Sequence, residues 1–103
     1  MSDPARLETV RPDPARPDPA RPAKLRFRAW HRGTREMDYI CGCFFDRFSG
    51  EWSDAEFAWF ETLLREEDPD VMDWAMGTRA APAHLAGEQM DAFQRLDYVD
   101  TSR

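Results

Sequence analysis

The chain has 103 residues, a net charge of −6, one isoleucine and three valines. That length fits one small domain, and so few strand-forming residues disfavour an all-β fold and a Rossmann-type α/β fold. Two cysteines are too few for a secreted disulfide scaffold and favour a reducing compartment.

The N-terminal region is rich in proline. Six of the eight prolines lie in the first 23 residues, and the unit Arg-Pro-Asp-Pro-Ala occurs at residues 11–15 and again at 16–20. Dense prolines hold the backbone extended, and the few apolar side chains are too scattered to offset the entropy of ordering. We therefore expect a disordered tail over residues 1–22, with a proline-motif ligand as the alternative, and a folded domain over residues 23–99.

The charge is unevenly distributed. Residues 24–35 carry five cationic side chains and no acid, whereas residues 36–103 carry five arginines and sixteen carboxylates. The acidic surface would repel phosphates, which disfavours nucleic acid as a partner. No segment approaches the roughly 20 apolar residues of a membrane span, and the N-terminus resembles neither a secretory signal nor a transit peptide. We expect a monomer in a bacterial cytoplasm, without membrane insertion.

Two helices are predicted in the first half of the domain. The first runs from about residue 23 to residue 31, with Leu25, Phe27 and Trp30 as its apolar positions. The second begins near residue 34 and stops at residues 49–50. Its apolar face has helical spacing and consists of Met37, Ile40, Cys41, Phe44, Phe45 and Phe48. Gly42 weakens this helix by about 1 kcal/mol relative to alanine, which predicts a closely packed neighbour there.

The two cysteines, Cys41 and Cys43, lie two residues apart in this second helix. On a helix they point about 200° apart, so they can share neither a disulfide nor a metal ion without local unwinding. We interpret them as small helix residues, at least one of them buried. Redox or metal use is the alternative.

Three more helices follow. Ser53 and Glu56 fit a capping box that starts the third, and Trp52 with Phe57 fits its hydrophobic staple. Asp68 is the predicted N-cap of the fourth, with proline at the next position and a glycine at residue 77 as its end. The last helix is predicted from about residue 84 to residue 96. The further inner positions are Phe57, Trp59, Phe60, Leu63, Leu64, Val71, Trp74, Ala75, Leu85, Met90, Phe93 and Leu96. The sequence predicts an all-α fold, a small bundle of four to five short helices.

Enzyme signatures are missing from the sequence. The two histidines lie far apart, at residues 31 and 84, and no phosphate loop, nucleophile elbow, HExxH or CxxC motif occurs. The pattern favours a binding module, not an enzyme.

The segment that joins the first two helices is the candidate site. Gly33 permits a positive φ or a close backbone approach by another molecule. Arg32 and Glu36 are four residues apart and share a face if helical. The simplest interpretation is a helix-joining glycine beside an ion pair within the helix.

The run Arg32-Gly33-Thr34-Arg35-Glu36 resembles the RGxxE motif of the SdhE-type FAD assembly factors, also known as succinate dehydrogenase flavinylation factors. The order of the following features is similar too. An aromatic helix is followed by a Phe-x-x-Leu-Leu helix over residues 60–64, an acidic Glu-Asp-Pro-Asp turn over residues 67–70, and a tryptophan at residue 74. The resemblance covers residues 26–98 and none of the tail, and the smaller Cys-Gly-Cys run departs from the usual aliphatic residues.

The resemblance implies a helical assembly factor without catalytic activity. Such a protein binds the flavoprotein subunit of succinate dehydrogenase, and in some cases of fumarate reductase, and promotes covalent attachment of FAD to it. It holds no FAD stably itself. Carried over by motif, Arg32, Gly33 and Glu36 would form the core of the partner-binding surface. Three neighbours, Trp30, His31 and Arg35, are candidates by adjacency.

Two other functions stay open on the sequence. A generic helical adaptor would use the basic residues 24–35 against an unrelated acidic partner. A protein that binds free FAD or a metal ion would use exposed aromatic side chains or the cysteine pair.

Overall fold

A computed structural model describes residues 19–102. Within this range the chain forms five α-helices and no strand, which confirms the all-α prediction. The helices are α1 (Arg21–Trp30), α2 (Arg35–Phe48), α3 (Asp54–Leu64), α4 (Asp68–Met76) and α5 (Glu88–Arg95). Two short 3₁₀ turns lie at Ser49–Glu51 and Ala83–Leu85. The predicted disordered tail falls, for residues 1–18, outside the described residues.

The start of α1 differs from the prediction. The helix begins at Arg21, two residues before the expected domain boundary. The Arg21 guanidinium donates hydrogen bonds of 2.7 and 3.0 Å to the carboxylate of Glu61 on α3, so this residue belongs to the folded bundle. Leu25 and Ala29 face the core, but Phe27 does not. Phe27, one of the three apolar positions of this helix, is exposed because it lies about 200° around the helix from Leu25.

The capping box at the start of α3 is confirmed. Ser53 Oγ accepts a hydrogen bond from the Glu56 amide at 3.2 Å, and Glu56 Oε1 accepts one from the Ser53 amide at 2.9 Å. The rings of Trp52 and Phe57 meet edge to face, 5.3 Å apart, as the hydrophobic staple requires.

The starts of the last two helices differ from the prediction. Asp68 is the first residue of α4, and the N-cap is Glu67, whose backbone is extended. The Asp68 carboxylate accepts a hydrogen bond from the Arg32 guanidinium and does not cap the helix. The predicted last helix is divided into the turn Ala83–Leu85 and α5. Gly87 separates them with φ +136°, a backbone angle outside the helical region. The helix α4 ends as predicted, at Gly77 with φ +75°.

The core is aromatic and centres on Phe44 of α2. Its ring lies 5.1 Å from that of Phe93 on α5, 5.0 Å from that of Tyr98 and 6.1 Å from that of Phe60 on α3. Such offset and edge-on arrangements add to the free energy of burial. Most predicted inner positions are buried, and Phe48, Phe57, Trp59 and Leu96 are partly buried. The helix α2 therefore lies at the centre of the core, and the candidate site lies at its N-terminal end.

Candidate functional site

The loop between α1 and α2, residues 31–34, is held by hydrogen bonds on both sides of Gly33. The Arg32 amide donates to Asp38 Oδ1 at 2.6 Å. Thr34 is the N-cap of α2, and its Oγ1 accepts from the Met37 amide at 3.3 Å. Gly33 itself is exposed, with φ +117° and open space where a Cβ would stand. The loop therefore presents a fixed backbone with no side chain at its tip.

The guanidinium of Arg32 points into the fold. It donates to the Leu64 carbonyl at 2.6 Å, to the Glu66 carbonyl at 2.9 Å and to Asp68 Oδ1 at 2.9 Å, and the side chain is 10% exposed. Carbonyls at the end of a helix lack intrahelical donors, and a cation near that end is favourable. Arg32 thus ties the motif loop to the turn between α3 and α4. The ion pair with Glu36 that the spacing suggested is replaced by these contacts.

The indole of Trp30 packs directly on Gly42 of α2. A Cβ at that glycine would lie 2.2 Å from the ring, so only glycine fits beneath it. The close neighbour predicted at Gly42 is confirmed. Trp30 also meets the ring of Tyr39 edge-on, with centroids 5.7 Å apart. The glycine therefore sets the position of the Trp30 and Tyr39 rings, which form an aromatic wall beside the motif loop, residues 31–34.

A depression of about 580 Å³ opens between this wall and the loop. Its lining includes four of the six predicted site residues, Trp30, His31, Gly33 and Arg35, together with Tyr39. The Arg35 guanidinium carbon lies 5.5 Å from the centre of the Tyr39 ring, within cation–π distance. The surface here combines a cation, aromatic faces and an open backbone, which suits contact with a protein.

Glu36, the remaining motif residue, is exposed on a neighbouring groove of about 530 Å³. That groove shares Arg35 and Tyr39 with the depression and has Leu96 and Val99 on its far side. The structure therefore gathers five of the six predicted residues on one continuous surface. Arg32 alone of the six turns inward.

The cysteines offer no chemistry to this surface. Both thiols are buried, as predicted for at least one of them. Burial raises the pKa of Cys41 to about 12, against a smaller opposing effect of the Arg32 charge, so the thiol stays protonated near neutral pH. Over residues 19–102, no group of three or more histidine, cysteine, aspartate or glutamate side chains could hold a metal ion.

Membrane-spanning helices are not found in the described range. None of its helices combines the length and apolar character needed to cross a bilayer.

Two residues that shape the site are not predicted as site residues by the sequence. Asp68 holds Arg32 across 36 positions of sequence, and only the acidic turn in the family resemblance marked its region. Tyr39 joins the depression to the groove, and its aromatic character one helical turn after Arg35 was the available signal.

Comparisons with known proteins identify one family. The family described as "Flavinator of succinate dehydrogenase" matches residues 23–97. A protein named FAD assembly factor SdhE from Acetobacter pasteurianus is 36% identical over 63 residues, covering 61% of this chain and 58% of that protein. A protein of the same name from Aliivibrio fischeri is 41% identical over 49 residues, covering 48% and 57%. A third, from Photobacterium profundum, is 38% identical over 66 residues, covering 62% and 74%.

The match with the first two relatives spans under three fifths of their own length. No solved structure matches the chain significantly. The family match, however, covers most of the chain and includes both the motif loop and the acidic turn that holds it. This chain belongs to the flavinator of succinate dehydrogenase family.

Proposed function

We propose that the chain is an assembly factor that binds the flavoprotein subunit of succinate dehydrogenase and promotes covalent attachment of FAD to that subunit. The fumarate reductase flavoprotein is a second client in this proposal. This proposal rests mainly on the hydrogen-bonded loop between α1 and α2. Its tip, Gly33, has φ +117° and open space where a Cβ would stand. Because the tip has no side chain, a partner surface can approach the backbone directly.

The arrangement around the tip supports binding to a protein. Arg32 and Asp38 fix the loop from within the fold, so little conformational entropy is lost when a partner docks. Arg35 is exposed beside the tip, and its planar guanidinium suits multidentate contacts with carboxylates or carbonyls. Glu36 extends the same surface with an opposite charge.

The chain's part in FAD attachment is to stabilise one arrangement of the client. A protein that binds best to the arrangement in which the acceptor side chain meets the flavin raises the population of that arrangement. The two thiols supply no nucleophile to the depression, since both are buried. In this account FAD stays on the client and the chain holds no cofactor. Buried free thiols also fit a protein that acts in a reducing compartment, the bacterial cytoplasm. In this proposal the chain acts there as a monomer.

Substitution of Gly33 by arginine tests the proposal, with Gly87→Arg as the matched control. Both glycines have a positive φ and open space at the Cβ position, so both variants carry similar backbone strain. We expect Gly33→Arg to abolish capture of the purified flavoprotein subunit while circular dichroism shows a folded bundle. Gly87→Arg should still capture it. Equal capture by both variants, or capture of an unrelated acidic protein by the unmodified chain in place of the flavoprotein, would contradict the proposal.

A further inference from the structure

The outer side of α1 presents an aromatic ring that the core does not use. Leu25 and Ala29 of this helix are buried, whereas Phe27 lies on the opposite side and is 64% exposed. The Phe27 ring stacks on the His31 ring, with centroids 4.0 Å apart and planes 17° apart. His31 Nδ1 lies 2.6 Å from the Phe27 carbonyl oxygen, which holds the imidazole in place. The exposed ring is therefore ordered before any partner arrives.

Cationic side chains flank this ring. Lys24 and Arg28 line a shallow depression with Phe27, and both are exposed. No acidic residue occurs between residues 24 and 35, although the rest of the domain is strongly acidic. The α1 face, defined here as Lys24, Phe27, Arg28 and His31, therefore combines apolar area with a local positive charge. That combination complements an acidic segment that carries an apolar side chain.

The α1 face is continuous with the motif surface, the depression and groove that carry Gly33, Arg35 and Glu36. His31 stacks on Phe27 and also lines the depression beside Gly33. A partner that covers the loop tip thus reaches Phe27 without crossing a gap. A single exposed aromatic ring at such a place is the kind of residue that dominates the energy of an interface, while surrounding charges raise the rate of encounter.

We infer that the α1 face is a second contact surface for the flavoprotein client, and that it binds an acidic segment of that client through Phe27. The inference rests on the proposed function and adds a binding residue outside the RGxxE motif. Lys24 and Arg28 attract the segment's carboxylates, and the Phe27 ring packs on its apolar side chain. The His31 ring supports Phe27 from below.

The test compares Phe27→Ala with Met76→Ala. Met76 on α4 is the other exposed large apolar side chain among the described residues, at 57% exposure, so its variant controls for general loss of apolar surface. The dissociation constant for the purified, FAD-containing flavoprotein subunit is measured by titration calorimetry. We expect about tenfold or more weaker binding for Phe27→Ala and no change for Met76→Ala. Both variants remove exposed atoms, and circular dichroism checks that both remain folded.

The outcomes separate the two claims. If the unmodified chain binds the client and Phe27→Ala binds equally well, the inference is wrong while the proposed function stands. If the unmodified chain does not bind the client, both are wrong. If Phe27→Ala changes only self-association in sedimentation, the occupant is a second copy and the inference is also overturned.

A salt titration tests the charge argument separately. Binding of the unmodified chain should weaken steeply as salt rises, because the contact involves opposite charges. The double variant Lys24→Ala with Arg28→Ala should show a shallower dependence. An identical salt dependence for both proteins would overturn the assignment of an acidic partner segment.

Discussion

Gly42 lies directly beneath the indole of Trp30, and the contact leaves no room for a Cβ. Atoms of the ring stand 2.2, 2.3 and 2.7 Å from the position that a Cβ would occupy. A glycine in the middle of a helix costs about 1 kcal/mol relative to alanine. Here the glycine permits a close crossing of α1 and α2 and sets the position of the Trp30 ring beside the depression.

The first prediction concerns this contact. Gly42→Ala should lower the free energy of unfolding, because overpacking costs about 1–3 kcal/mol and better helix propensity recovers only about 1 kcal/mol of it. Urea denaturation followed by circular dichroism measures the change. Gly50→Ala is the control, since its Cβ would meet nothing within 4 Å. A Gly42→Ala protein as stable as the unmodified chain would show that the contact relaxes without cost.

The second prediction concerns Arg32. Arg32→Met should lower the free energy of unfolding by about 2–3 kcal/mol, because it leaves the Leu64 and Glu66 carbonyls and the Asp68 carboxylate without their charged donor. The comparison is Arg79→Met, which removes a solvent-exposed ion pair with Asp70 and should lower the free energy of unfolding far less, because water screens such a pair.

The client-binding assay shows whether Arg32 acts by positioning the loop. Addition of a stabilising osmolyte should restore the fold of Arg32→Met but leave client binding weakened, since the loop has lost its anchor. Stability losses of the same size in the Arg32 and Arg79 variants would argue against the structural role assigned to Arg32.

Local signals in the sequence predicted most of the fold, and long-range contacts account for the differences. The capping box at Ser53 and the glycine stop at residue 77 depend on neighbouring residues, and both are confirmed. The sequence predicts Asp68 as an N-cap, but its partner in the fold is Arg32, 36 positions away, which no local pattern indicates. For the same reason the spacing of Arg32 and Glu36 suggests an ion pair within the helix, whereas the Arg32 guanidinium contacts Asp68 and two backbone carbonyls instead. The exposure of Phe27 follows from local spacing, because a residue two positions after the buried Leu25 lies on the opposite side of the helix.

The third prediction concerns alkaline pH. Burial raises the pKa of Cys41 from 9.0 to about 12 and also raises the pKa of Tyr98. Above about pH 9 the unfolded chain loses these protons while the folded chain keeps them, so the free energy of unfolding falls as pH rises. The contribution is complete below pH 9 and is lost progressively towards pH 12.

Urea midpoints at a series of pH values from 7.5 to 11 measure this effect, with about pH 9 as the expected onset. Tyr98→Phe removes one of the two groups and should flatten the dependence at its upper end. A midpoint that stays constant or increases across this range would contradict the burial assigned to the two side chains.

The most direct measurement is covalent flavin on the client itself. The succinate dehydrogenase flavoprotein is separated on a denaturing gel from cells with and without this chain, and its flavin fluorescence is compared with its amount on an immunoblot. We predict a normal amount of subunit with little or no fluorescence when the chain is absent. Fluorescence should return with the unmodified gene and not with the Gly33→Arg allele. Equal fluorescence in both strains would contradict the central claim.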